Sequence, residues 1–331
     1  MLAFTKSANK DARAFHLSTM ISFLKTLGRS LVTLWGVSLV IFLLLFWVPR
    51  LGKTDPTESM ALLVAGAHAN DENIKNIKRD LGLDKPLPVQ YGMFIKNALT
   101  NNLRSYRNED RVFSAIARRF PATLLLALTA LCVYLAVAVP VSLVTSNRAG
   151  SGLDKAALLL SIVAISIPTF WLGRLMQHYL GYKWGLFSVG GGANLWNLPL
   201  PALTLGVGGA AFYARLLHAN LRGVLKQDYI RAARARGLSD GQVVGKHALK
   251  NALIPAVAVL GAEFASLLSG LIFTEKIFGW PGIGSLAVDS VANNDVPMIM
   301  GTVLFAALMV VSANILVDIV YRLIDPRVRA S

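Results

Sequence analysis

Six long apolar runs recur along the 331 residues, at about Leu31 to Val48, Pro121 to Val144, Ala156 to Leu175, Leu200 to Leu221, Ala252 to Phe273 and Pro297 to Ile324. Each supplies roughly the 20 helical residues needed to cross a hydrocarbon layer about 30 Å thick. Backbone N–H and C=O groups in hydrocarbon must be bonded internally, so only helices and closed barrels cross it. These runs are apolar all round and lack the alternation of barrel strands, which predicts helices. With 54% hydrophobic and only 15% charged residues, against roughly 25% charged in soluble domains, the expected class is an all-α integral membrane protein with six transmembrane helices.

The net charge of +15 does not indicate nucleic acid, because Lys and Arg fall between apolar runs and form no basic face with interleaved aromatics. Their distribution gives an orientation instead. One side carries Lys6, Lys10, Arg13, Lys25 and Arg29, then Arg148 and Lys155, then Arg222, Lys226, Arg231, Arg234, Arg236, Lys246 and Lys250, and finally Arg327 and Arg329. By the positive-inside rule that side is cytoplasmic and both termini are inside. The opposite short connections offer mainly Lys183 and Lys276, with Trp184, Trp196 and Trp280 placed to suit the wet edge of a bilayer. The first run begins too late and is too long for a cleaved signal peptide, so it reads as a retained span. Cys132, the single cysteine, lies inside an apolar run and reads as a packing residue.

These features divide the chain into a cytoplasmic segment (1–30), a first span (31–48), an extracytoplasmic module (49–118) and a core (119–331) with a cytoplasmic loop at 222–255. The module is too long for a simple connection and is expected to hold structure of its own. Asn70 can cap a helix with Asp71 and Glu72 in its first turn and Lys75, Lys78 and Arg79 near its end, terminating at Gly82. Ile74, Ile77 and Leu81 share one face, expected to pack within the module. A second apolar-faced stretch follows Pro86 and Pro88, around Tyr91, Phe94, Ile95 and Leu99.

The cytoplasmic loop has its own pattern. Tyr229 to Arg236 holds good helix formers, with Ala232, Ala233 and Ala235 as small faces, and Gly237 can close that helix in the left-handed conformation. Ser239 can cap a second helix that turns Val243, Val244 and Leu249 inward and runs toward Asn251 and Pro255 at the base of the fifth span. Two short helices meeting at an angle are expected.

Asp228-Tyr229, Arg231-Ala232-Ala233, Gly237, His247 to Leu249, Asn251 and Pro255 resemble the EAA loop of binding-protein-dependent ATP-binding-cassette (ABC) importers. The resemblance continues through Phe278-Gly279-Trp280-Pro281-Gly282 and through Asp318, Tyr321, Asp325, Pro326 and Arg327. Leu81 to Tyr91, Ser166 to Trp171 and Leu200 to Leu203 match the dipeptide and oligopeptide permease branch. The resemblance implies a type I importer permease of a bacterial or archaeal cytoplasmic membrane. Its implied partners are a second permease, two cytoplasmic ATPase subunits that bind ATP and Mg, and an extracytoplasmic substrate-binding protein touched by the module. The implied ATPase-coupling residues are Asp228, Tyr229, Arg231, Ala232, Ala233, Gly237, His247, Asn251 and Pro255. Arg231 stands where the motif usually has Glu, so the expected grip is a small-residue surface with a basic rim. The same branch also moves nickel chelates, glutathione and antibiotic peptides.

Other candidates are fewer. Glu263, near the middle of the fifth span, costs roughly 2.5–3.5 kcal/mol if it meets lipid, so it is expected to face protein, water or the translocation pathway. Pro168 removes a helix bond in the third span beside Ser166 and Thr169, and Ser166 and Pro168 join Glu263 as pathway candidates. Arg174, His178, Arg215 and His218 are placed to snorkel toward interfaces. Gly190-Gly191-Gly192 has no following Lys-Ser or Lys-Thr and reads as a flexible connection. No phosphate-binding loop, catalytic set or metal-ligand spacing is evident, so no cofactor is expected in this chain. A membrane-embedded hydrolase would need a partner for Glu263, and a scaffold would leave the spaced loop unexplained.

Overall fold

The computed structural model describes residues 25–51, 55–66, 70–189 and 191–324, and these are almost entirely helical. Four helices are each long and apolar enough to cross a membrane: Lys25–Leu51, Val112–Asn147, Pro199–Leu225 and Val296–Val317. Two bent pairs, Gly152–Ser166 with Thr169–Lys183 and Asp240–Val257 with Val259–Leu268, bring the number to six if each pair is one span. Lys6, Lys10, Arg13, Asp325, Pro326, Arg327 and Arg329 lie outside the described residues.

Helix α1 (Lys25–Leu51) leads into a module of three helices, α2 (Pro56–Ala65), α3 (Asp71–Asp80) and α4 (Leu87–Leu99). The starts of α2 and α3 are capped by side chains. Asp55 accepts from the Thr57 amide at 3.0 Å and the Thr57 hydroxyl at 2.7 Å, and Asn70 accepts from the Asn73 amide at 2.7 Å. Lys78 reaches back to Asp55 at 3.2 Å, tying α3 to the head of α2. Burial pushes the Asp55 carboxyl up, but the Thr57 hydroxyl and amide and the Lys78 ammonium outweigh it and hold it below its ordinary value of 3.8. Between α3 and α4 the chain reverses at Gly82 (φ +67°), and buried Gln90 donates to the Leu83 and Lys85 carbonyls at 2.8 and 2.7 Å.

Among the described residues, the bulky buried apolar side chains of the module belong to a larger core. Leu83, Phe94 and Leu103 pack in one buried cluster with Phe42 and Phe46 of α1 and with the starts of the second and sixth spans. Of the stripe expected to pack within the module, Leu81 instead joins this shared cluster and Ile74 and Ile77 are half-buried; Leu99 at the end of α4 is 83% exposed.

The second span, α5 (Val112–Asn147), is 36 residues long and begins well before Pro121, which lies inside it together with Pro140. The apolar run missed this start because Arg118 and Arg119 interrupt hydrophobicity without interrupting the helix. The third span is broken. Helices α6 (Gly152–Ser166) and α7 (Thr169–Lys183) meet at 98° around Pro168, and Ser166 Oγ donates to the Ile162 carbonyl at 2.9 Å. Helix α8 (Pro199–Leu225) packs most extensively on α5, where a Cβ on Gly209 would stand 1.9 Å from the Tyr134 ring. Small residues permit such approach between membrane helices. After α8 come α9 (Asp228–Ala235), α10 (Asp240–Gln242), α11 (Leu249–Gly270), α12 (Ile272–Ile277), α13 (Ile283–Ala292) and α14 (Val296–Ile324), with α14 lying along α11.

Candidate functional site

The loop between α8 and α11 is a folded unit. Helix α9 closes through Gly237 (φ +81°), whose amide donates to the Arg234 carbonyl at 2.9 Å. Glycine tolerates this left-handed conformation without steric penalty. Ser239 then forms a capping box with Gln242, the Gln242 amide donating to Ser239 Oγ and the Ser239 amide to Gln242 Oε1 at 3.2 Å. The chain winds through α10 and one π-helical stretch, Val243–Ala248, straight into α11. The second helix is thus the foot of the fifth span rather than a separate element.

Ile230, Ala233, Val243 and Ala248 are buried in a cluster with Leu217 and Leu221 of α8, Ala252 and Ala256 of α11, and Ala138 of α5. Ala233 therefore packs inward, while Ala232 and Ala235 are exposed. On the outer face the Asn251 amide donates to the Tyr229 hydroxyl at 2.7 Å and to the His247 carbonyl at 3.3 Å, clamping the first helix to the second. Gly237 and His247 are exposed beside them, and Pro255 is exposed within α11. Arg231 pairs with Asp228 at 3.4 Å and Arg234 with Asp240 at 3.2 Å. Exposed pairs of this kind hold only weakly, about 0–1 kcal/mol, and exchange readily for another acidic partner. The loop is thus a packed knob that exposes small residues, Ala232, Ala235 and Gly237, among the exposed cations Arg231, Arg234, Arg236, Lys246 and Lys250.

The pathway candidates do not converge. Ser166 and Pro168 line an open apolar groove of about 490 Å³ with Ile162, Val163, Phe170 and Trp171, and Glu263 is not part of it. Glu263 is half-buried on α11, within electrostatic reach of Tyr134 on α5.

A different acidic residue is fully enclosed. Glu275 accepts from Thr123 Oγ1 at 2.7 Å and from the Ser285 amide at 2.9 Å, and Thr123 in turn accepts from the Ile283 amide at 2.8 Å. A Cβ on Gly282 would overlap the Glu275 carboxylate, so the glycine makes room for it. Trp280 is fully buried beside this network and donates Nε1–H to the Ala122 carbonyl at 2.9 Å. This corrects its placement at a bilayer edge: an indole with a buried acceptor in reach is more favourably held in the core. Trp184 and Trp196 are exposed as expected. The sequence signal was present in Phe278 to Gly282, whose local spacing does not name the distant Thr123.

Two further readings change. His218 is not extended toward an interface, since it meets Asp154 at 3.5 Å and Thr145 Oγ1 at 2.9 Å and so braces the α5–α6 turn against α8. The glycine-rich connection is anchored where it is described: the Gly192 amide donates to the Gly279 carbonyl at 3.1 Å, and Asn197 donates to the Gly191 and Gly192 carbonyls. Gly190 lies outside the described residues. Among the described residues no three His, Cys, Asp or Glu side chains cluster to hold a metal.

Residues 138–330 match the family described as binding-protein-dependent transport system inner membrane component, and residues 20–127 match its N-terminal membrane-component family. The chain is 37% identical to the glutathione transport system permease protein of Pectobacterium atrosepticum, over 93% of this chain and 98% of that one. It is 35% identical to a putative peptide transport system permease protein of Brucella abortus, over 88% of this chain and 95% of that one. Among solved structures, an inward-facing form of the MetNI methionine ABC transporter shares the fold. The TM-score is 0.53 at 20% identity, covering 64% of this chain and 97% of that one. A permease-length match to relatives at this identity, on an all-helical multi-pass fold, settles the family: the chain belongs to the binding-protein-dependent transport system inner membrane components and is a permease subunit of an ABC importer.

Proposed function

We propose that this permease moves small peptides, glutathione among them, inward across the cytoplasmic membrane, and that residues 222–255 form the knob through which separate ATPase subunits drive it. The observation that carries the proposal is the clamp between Tyr229 and Asn251 over a core shared with three spans. A knob welded in this way to the feet of α8 and α11 passes any displacement to the membrane helices. Ala232, Ala235 and Gly237 at its tip permit close approach, and the basic rim suits an acidic cleft.

In this reading both termini and the knob are cytoplasmic and the module is extracytoplasmic. ATP is bound with Mg by the partner subunits and hydrolysed there. Closure of the ATPase pair brings two such knobs together, this one and that of a second permease, and opens the pathway toward a substrate-binding protein on the module side. Separation of the ATPases returns it inward. Peptide cargo rests on the names carried by the relatives, one a glutathione permease and one a putative peptide permease.

The test is reconstitution of the complex in vesicles with ATPase and uptake measured together. Gly237→Glu is expected to insert and assemble yet lose uptake while ATP hydrolysis continues. Wild-type uptake by that variant would remove the knob from the coupling path. Stimulation of ATPase by binding protein charged with glutathione or tripeptides supports the cargo assignment, whereas stimulation only by a nickel chelate overturns it.

A further inference from the structure

The segment joining the module to α5 makes a contact across 190 residues of sequence. Asp295, one position before α14, is 4% exposed and accepts from Ser105 Oγ and, at 3.1 Å, from the Tyr106 amide. Ser105 is itself 3% exposed, and its Oγ also accepts from the Arg107 amide at 3.1 Å, so one hydroxyl both shapes the 105–108 turn and grips α14. The Tyr106 ring packs on the same buried cluster, where burial and then the Asp295 charge push its phenol up to about 12 and keep it neutral.

Packing reinforces the bond. The Val112 amide donates to the Leu103 carbonyl at 2.9 Å, and a Cβ on Gly301 would stand 2.2 Å from Val112 Cγ1. The head of α14 and the head of α5 therefore touch without an intervening layer. An interior hydrogen bond accepted by a carboxylate is short-ranged and directional and is stronger than a neutral one. It fixes the 105–108 turn relative to the sixth span in a way apolar packing alone does not.

Resting on the function proposed above, in which a binding protein docks on the module side, we propose that Asp295 is the joint that makes the module and the sixth span move as one body, so that this docking acts directly on α14. Asp295 is a positioning residue in this scheme and contacts no substrate.

The test uses the full chain reconstituted with its second permease and ATPase subunits, with basal ATPase and ATPase at saturating binding protein charged with glutathione or trialanine both measured. Ser105→Ala and Asp295→Asn are expected to assemble and keep basal ATPase, while stimulation by saturating binding protein falls by about fivefold or more, the lower end of an ordinary coupling effect. Stimulation equal to wild type in both variants overturns the joint. Loss of assembly or of basal ATPase in the milder Ser105→Ala also overturns it, by making the bond merely structural. A wild-type complex that binding protein charged with either ligand does not stimulate overturns the proposed cargo and coupling, and this inference with them.

Discussion

The Asn251 side-chain amide donates to the Tyr229 hydroxyl at 2.7 Å, joining two helices of one loop across 22 residues of sequence. Both side chains are exposed, so water can replace either partner and the bond is worth about 0.5–1.5 kcal/mol at most. Tyr229→Phe and Asn251→Ala are therefore expected to leave folding intact and loosen the knob. Uptake per ATP hydrolysed, measured in proteoliposomes, should fall in each single variant, and the double variant should lose no more than the larger single loss. Fully additive losses would show that the two residues act separately.

Gly237 separates backbone strain from surface fit. A Cβ there meets nothing within 4 Å, but the φ of +81° disfavours other residues. Gly237→Asn, which tolerates the left-handed region, should keep wild-type thermal stability, whereas Gly237→Val should lose about 1–2 kcal/mol. If Asn at this position folds normally yet uncouples uptake, the defect lies against the ATPase. Normal coupling by a stable Asn variant would count against close approach at this tip.

The Glu275 network is fully buried, so its members are hard to remove. Thr123→Val leaves Glu275 with the Ser285 amide but deprives it of one donor, and it orphans the Ile283 amide, which alone costs about 1–3 kcal/mol. A clear drop in the thermal midpoint of the solubilised protein is expected. Gly282→Ala should do the same by steric overlap with the carboxylate.

Glu263 is half-buried on α11, on the side of the helix within electrostatic reach of Tyr134. Glu263→Gln should preserve insertion while changing the uptake ratio between glutathione and neutral tripeptides. An unchanged ratio with unchanged rates would assign Glu263 to helix packing alone.

Asp55 gives the module a definite acid response. Its carboxyl is held below 3.8, so the stabilisation it lends the head of α2 is complete above that value and is lost as pH falls through the lowered one. Thr57→Val removes the hydroxyl donor, and the acid loss of amide-exchange protection across Pro56–Ala65 should begin at a higher pH than in wild type. An unshifted midpoint would mean that Thr57 does not set the Asp55 charge.

The class, the number of spans and the loop were legible in the residues because they depend on local quantities. Apolar run length reports membrane crossing, Asn70, Ser239 and Gly237 report caps and a helix end, and each took the expected conformation. Pro168 likewise marked a lost helix bond in the third span, but the 98° between α6 and α7 could not be read from it. What depends on distant partners was not legible. Trp280 reads as a bilayer-edge residue until Ala122 is brought beneath it, and His218 reads as an interface residue until Asp154 and Thr145 flank it. Tertiary structure alone chose Glu275 over Glu263 for the enclosed network and joined Asp295 to Ser105. A buried polar group must find a partner, and which one it finds is decided by helix packing across more than a hundred residues rather than by its neighbours in sequence.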